Sequence, residues 1–129
     1  MAASGGELVL IVEDNDKNMK LTRDVLQFHG FATVEATTGE DGVSLARERS
    51  PAVILMDIQL PGIDGVTALG QIRQDAETSR IPVIALTASV MKEDRERFDK
   101  AGFDGFITKP IDVKRFAGQV REIMARGRV

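Results

Sequence analysis

Residues 52–65 read AVILMDIQLPGIDG: five apolar residues, one aspartate, then a loop with a proline and two glycines. The run shows no polar alternation, as expected of a parallel strand covered by helices on both faces. It drives straight into Asp57. A carboxylate at the mouth of a buried strand is costly unless something there wants a negative charge.

The rest of the chain repeats the pattern around this strand. LVLIV (8–12) and PVIAL (82–86) are likewise apolar throughout, FATVEA (31–36) is half polar and suits a sheet edge, and FDGFIT (103–108) completes the set. Segments of helical period lie between and after them, at about 16–29, 40–49, 65–74, 90–101 and 112–126. The last has Val113, Phe116, Ala117, Val120, Ile123 and Met124 on one face. Asp112 and Asp64 stand where N-caps belong, and Gly30 and Gly102 follow helices where a left-handed residue is favoured. Five strands and five helices in strict alternation predict a single-domain α/β fold, a three-layer (βα)5 sandwich around a five-stranded parallel sheet.

Composition bounds the function. With 129 residues there is room for one compact core. A net charge of −3 argues against a nucleic-acid partner, and with no cysteine there can be no disulfide, thiol nucleophile or Cys-ligated metal. The apolar runs fall far short of the roughly 20 residues of a membrane helix, and MAASGGE lacks the features of a secretory signal. A cytoplasmic protein with no membrane partner is expected.

In a parallel sheet all C-terminal strand ends share one edge, where ligands bind. Strand one ends in Glu13-Asp14, strand three in Asp57, strand four in Thr87 and strand five in Lys109. A single acid at a strand end is unremarkable as a helix cap. Three together repel one another unless a cation joins them, and oxygen ligands without sulfur suit Mg²⁺. A metal held beside a lysine and a hydroxyl makes a phosphoryl site. Asp57 is then either a spectator ligand or the nucleophile forming an aspartyl phosphate, and its central position favours the nucleophile. Lys109, two strands away, sits about 10 Å off at the backbone and has to reach back.

LVLIVEDN, VILMDIQLPGIDG, VIALTAS and FITKP, in this order and spacing, resemble the response-regulator receiver domains (CheY-like) of two-component signalling. Within that family, EDNDKNMKL with MDIQLPGIDG is similar to stand-alone cell-cycle receivers of DivK type, and also to receivers of hybrid kinases. The resemblance implies sheet order 2-1-3-4-5 and a receiver domain at 8–126, between a flexible N-terminal tail at 1–7 and a C-terminal tail at 127–129. It makes Asp57 the phospho-acceptor, Asp14 a direct Mg²⁺ ligand, Glu13 a ligand mainly through water and the Gln59 backbone carbonyl the remaining protein ligand. Thr87 and Lys109 would bind phosphoryl oxygens, with Glu13 and Asp14 on one side of Asp57 and these two on the other. Thr87 and Phe106 would form the switch, and the Lys109–Pro110 bond, for which the sequence alone favours trans, would be cis. Glu13 in place of Asp and Phe106 in place of Tyr depart from the commonest pattern.

The implied function is a switch rather than an enzyme acting on other substrates. It catalyses its own phosphotransfer and autodephosphorylation, takes its phosphoryl group from a histidine kinase or histidine phosphotransferase, and binds a protein target through the face made by helix four, strand five and helix five. With the sequence stopping after helix five, output is expected through a partner. The alternative is a phosphorelay intermediate that hands the group to a histidine phosphotransferase. A haloacid-dehalogenase-type phosphatase could use Asp14-Asn15-Asp16, but it wants Thr or Val at position 18, where Asn18 stands, and leaves Asp57 without a role. A flavodoxin-like module lacks its phosphate loop and its Trp or Tyr.

His29 reads as a helix C-terminal residue rather than a phosphodonor. Met19 and Met91 read as core or interface filler, and Arg47, Arg49, Arg95 and Arg97 as solvated faces. Asn15 either helps to begin helix one, with Asp16 as the N-cap, or touches a partner.

Overall fold

The structure is a computed structural model that describes residues 6–60, 62–88 and 92–126. In chain order the elements are β1 (Leu8–Val12), α1 (Asp16–Phe28), β2 (Ala32–Ala36), α2 (Gly39–Arg49), β3 (Val53–Asp57), α3 (Gly65–Gln74), β4 (Val83–Thr87), α4 (Lys92–Ala101), β5 (Gly105–Thr108) and α5 (Phe116–Arg126). The strands pair in parallel in the order β2-β1-β3-β4-β5, so the half-polar β2 lies at an edge and β3 at the centre. No helix among the described residues is long and apolar enough to cross a membrane.

The side-chain period of 2 divides each central strand between two cores. Val9, Ile11, Val53, Leu55, Ile84 and Leu86 face α1 and α5, meeting Leu26, Phe116, Val120 and Ile123. Leu10, Val12, Ile54, Met56, Val83 and Ala85 face α2, α3 and α4, meeting Ala46, Leu69, Ile72 and Phe98. Each fully buried large side chain is worth about 1.5–3 kcal/mol in transfer, so the central strands anchor whatever stands at their ends.

The helix ends refine the sequence reading. The N-cap of α1 is Asn15, whose Oδ1 accepts from the Asn18 N–H at 2.9 Å, and Asp16 is the first helical residue instead. Asp64 caps α3 by accepting from the Thr67 N–H at 2.8 Å. Asp112 caps the turn that leads into α5: its Oδ1 takes the Lys114 N–H at 3.0 Å and its carbonyl the Arg115 and Phe116 N–H at 3.0 and 2.9 Å, while regular helix begins at Phe116. Val113 therefore falls off the apolar face and is 51% exposed. Similarly, β5 opens at Gly105, with Phe103 and Asp104 leading into it. Gly30 and Gly102 have φ of 91° and 106°, the left-handed region expected of them. The Lys109–Pro110 bond is cis. Met19 is core, Met91 and Pro61 lie outside the described residues, and Glu7 accepts a backbone bond from Ala32 at 3.1 Å.

One glycine ties the fold to the sheet edge. A Cβ on Gly65 would stand 2.6 Å from the Asp57 carbonyl oxygen and 3.0 Å from Ile58 Cα, both rigid backbone atoms. Helix α3 can start against the end of β3 only without a side chain there. Gly65→Ala is expected to cost about 1–3 kcal/mol in urea unfolding, the range for overpacking. An unchanged midpoint would mean that the loop yields freely.

Candidate functional site

The ends of β1, β3, β4 and β5 at the C-terminal edge each deliver a polar group for a local reason. Met56 pairs with Val12 on β1 and Asp57 with Leu86 on β4, so the carboxylate emerges one residue beyond the last β1–β3 pair. Asp57 is only 6% exposed and Glu13 1%. The Gln59 N–H donates to Asp57 Oδ1 at 3.0 Å, and the Asn15 N–H donates to Glu13 Oε2 at 3.2 Å. Backbone donors two residues on thus hold both acids in fixed directions.

Lys109 follows β5 and reaches across β4. Its Nζ donates to Asp57 Oδ2 at 2.9 Å and lies 2.7 Å from Glu13 Oε1, the latter close enough for an ion pair but off the alignment of a hydrogen bond. Glu13 follows β1 on one side of β3 and Lys109 follows β5 on the other, as expected, yet the ammonium meets both acids. The lysine stem is long enough to place one ammonium against both buried acids.

Burial pushes the Glu13 carboxyl above its ordinary range, and the nearby Asp57 adds to this while the Lys109 contact opposes it. For Lys109, burial works to lower the ammonium, but the contacts with Glu13 and Asp57 outweigh it and hold it above its ordinary value.

Carboxylate oxygens of Glu13, Asp14 and Asp57 all come within 4.8 Å of one another. Glu13 Oε1 is a buried oxygen with unspent acceptor capacity, and the donor set is oxygen throughout. Both features fit a small hard divalent cation such as Mg²⁺, with Asp14 as the exposed arm of the cluster.

These groups share a cavity of about 400 Å³, which Gln59, Thr87 and Lys109 also line. Thr87 is the last residue of β4 and its side chain is buried. Phe106 is placed elsewhere: it sits half-buried on β5 opposite Ala85, outside the cavity lining, with the Arg95 guanidinium 4.7 Å from its ring centroid. His29 is exposed at the end of α1, remote from the cavity lining. Asn18, Asp94 and Phe98 line the cavity and were missed from sequence, as was a site position for Arg97. For Asp94, Arg97 and Phe98 the available signal was the placement of α4 directly after β4, and for Asn18 its place in the first turn of α1, directly after the acidic pair.

The Glu13 shift gives a testable pH dependence. Because its folded-state pKa is raised, the ionised form is disfavoured by folding. Stability from this group is full below the ordinary carboxylate range and declines as pH rises through the folded pKa. In metal-free protein, Glu13→Gln is expected to unfold at a higher temperature than wild type near about pH 7, the gap closing toward about pH 4. Mg²⁺ should raise the wild-type midpoint more than that of the variant. A variant less stable than wild type at every pH would refute the assignment.

Comparison with known proteins is consistent from sequence to fold. The family model described as response regulator receiver domain matches residues 9–121. The polar-differentiation response regulator DivK of Brucella ovis is 44% identical over 116 residues, 90% of this chain and 94% of that protein. Among solved structures, a putative response regulator from Chloroflexus aurantiacus aligns with TM-score 0.88 at 29% identity, covering 94% of this chain and 99% of that one. The receiver domain of the sensor histidine kinase PA1611 from Pseudomonas aeruginosa aligns with TM-score 0.83 at 32% identity, covering 95% and 98%. That structure holds a magnesium ion coordinated in its active-site cleft.

Proposed function

The chain belongs to the response-regulator receiver family, and on that premise we propose that Asp57 accepts a phosphoryl group from the phosphohistidine of a partner kinase or phosphotransferase. The phosphorylated chain then signals by binding a protein target. The observation that carries this reading is the buried Asp57 carboxylate, held by Lys109 at 2.9 Å and by the Gln59 N–H at 3.0 Å, inside a cavity shared with two more carboxylates.

In this reading an Asp57 carboxylate oxygen attacks phosphorus, and the donor leaves with the electron pair of the bond it loses. Glu13, Asp14, Asp57 and the Gln59 carbonyl would hold Mg²⁺, which supplies positive charge to the phosphoryl oxygens when bound. Lys109 holds the nucleophile in line and carries a fixed positive charge beside the transferring group. The Thr87 hydroxyl offers a further donor from the end of β4. Thr87 and Phe106 transmit the added charge to the α4–β5–α5 face, where the target binds. The protein is a cytoplasmic switch that catalyses its own phosphorylation and dephosphorylation.

Incubation with acetyl phosphate and Mg²⁺, followed by peptide mapping, tests the acceptor: one phosphoryl group is expected, on Asp57. Phosphate on Asp14 instead would favour a phosphatase-like mechanism. For the output, the beryllofluoride–Mg²⁺ form is expected to bind a protein that the Asp57→Asn form does not. Transfer of the group onward to a histidine phosphotransferase, with no such protein bound, would make the chain a relay.

A further inference from the structure

The cavity around Asp57 has a wall that the strand ends do not supply. Asp94, Arg97 and Phe98 of α4 line it as well. Among the described residues its charged lining is Glu13, Asp14, Asp57 and Asp94 against Lys109 and Arg97, four acids facing two cations. Of the two cations, Lys109 is engaged by the buried carboxylates of Glu13 and Asp57. Arg97 is engaged very differently. Its Nη2 lies 3.5 Å from Asp94 Oδ1, one helical turn back, and its side chain is 62% exposed.

An ion pair this long and exposed is worth at most about 1 kcal/mol, so it gives way readily to a stronger anion. The guanidinium also lies 5.1 Å over the ring of Phe98, whose side chain is buried, so the base of the arm is supported. The field of Arg97 reaches across the rim: the Asp64 carboxyl is held below its ordinary range mainly by the Thr67 N–H, and Arg97 adds to the effect.

We infer that Arg97 is a second cationic arm of the phosphoryl site, exchanging Asp94 for the anionic oxygens of the incoming donor, while Asp94 competes for it and restrains the reaction. The ligand class is a phosphoryl dianion on an acyl or imidazole leaving group. Its planar fork suits two phosphoryl oxygens at once, a geometry that lysine cannot copy. The inference rests on the assignment of Asp57 as acceptor. With acetyl phosphate the Asp57 oxygen–phosphorus bond forms, the acyl oxygen–phosphorus bond breaks, and acetate leaves with the electron pair and needs no proton.

The test is the second-order rate constant for phosphorylation by acetyl phosphate at fixed Mg²⁺. Arg97→Gln is expected to lower it about fivefold and Asp94→Asn to raise it about twofold, within what an exposed charge pair supplies. In the Arg97→Gln background the Asp94→Asn gain should vanish, Arg97→Lys should recover only part of the rate, and the differences should shrink in high salt. Unfolding midpoints should stay at the wild-type value, which separates recognition from folding. Equal rates for Arg97→Gln and wild type, or an Asp94→Asn gain that persists without Arg97, would overturn the inference while Asp57 phosphorylation stands. A wild-type protein that is not labelled on Asp57 would overturn the functional reading beneath it.

Discussion

Asp57→Asn is expected to reduce labelling by acetyl phosphate and Mg²⁺ to background, more than about 1,000-fold below wild type, as befits loss of a covalent nucleophile. An amide has no ionised oxygen with which to attack phosphorus. The fold should tolerate the change. The amide oxygen still accepts the Gln59 N–H, which meets Asp57 Oδ1 at 3.0 Å, and Lys109 keeps its ion pair with Glu13 at 2.7 Å. Removing the Asp57 charge also removes one of the influences that push the Glu13 carboxyl upward, after burial itself. The unfolding midpoint of the metal-free variant should therefore not fall below wild type. Intact-mass spectrometry with thermal unfolding on the same samples checks both halves. Full labelling of Asp57→Asn would sink the acceptor assignment, and loss of labelling through unfolding would leave Asp57 a structural residue.

Arg73→Ala should have the largest effect on stability. The guanidinium donates through Nη1 to the Ser79 and Ile81 carbonyls at 3.2 and 2.7 Å, and through Nη2 to the Gly102 carbonyl and Asp104 Oδ2 at 3.1 and 2.8 Å. The same Asp104 oxygen accepts the Val83 N–H at 2.8 Å. One side chain thus joins the end of α3, the approach to β4, the end of α4 and the start of β5. Both partners are mostly buried, at 15% and 13% side-chain exposure.

Truncation strands a buried carboxylate and several carbonyls, a loss of about 3 kcal/mol, the low end for breaking a buried pair. That is a large share of the stability of a small domain. Urea unfolding should show a lower midpoint with an unchanged slope, and Arg73→Lys should recover only part, having no fork. Asp104→Asn added to Arg73→Ala should restore some stability by neutralising the stranded charge. Because this network lies at the opposite edge of the sheet from Asp57, the folded fraction should still be labelled. The exposed Arg47–Asp75 pair, though 2.6 Å long, should matter far less when broken.

The strand and helix content was readable because burial on both faces forces an apolar run and burial on one side forces a helical stripe. AVILM places β3 to within a residue, and the half-polar FATVEA places β2 at the edge. The residues at the sheet edge were readable as well, since parallel strands must end together. Where a side chain competed locally with the backbone, reading faltered. Asp112 caps a turn at 113–115 and regular α5 begins only at Phe116, and Asn15 rather than Asp16 took the cap of α1.

By itself, then, the sequence determined the alternating parallel sheet and the gathering of Glu13, Asp14, Asp57, Thr87 and Lys109 at one rim. Only the tertiary structure decided how those groups are shared. The reach of Lys109 to Asp57 follows from strand order, but that the same ammonium also meets Glu13 depends on how the two buried acids are placed. Arg97 joins the cavity and Arg73 closes the far edge because α4 and α3 are packed there by their apolar faces. Local sequence dictates which element forms, while the partner of a long charged side chain depends on where distant elements have been brought.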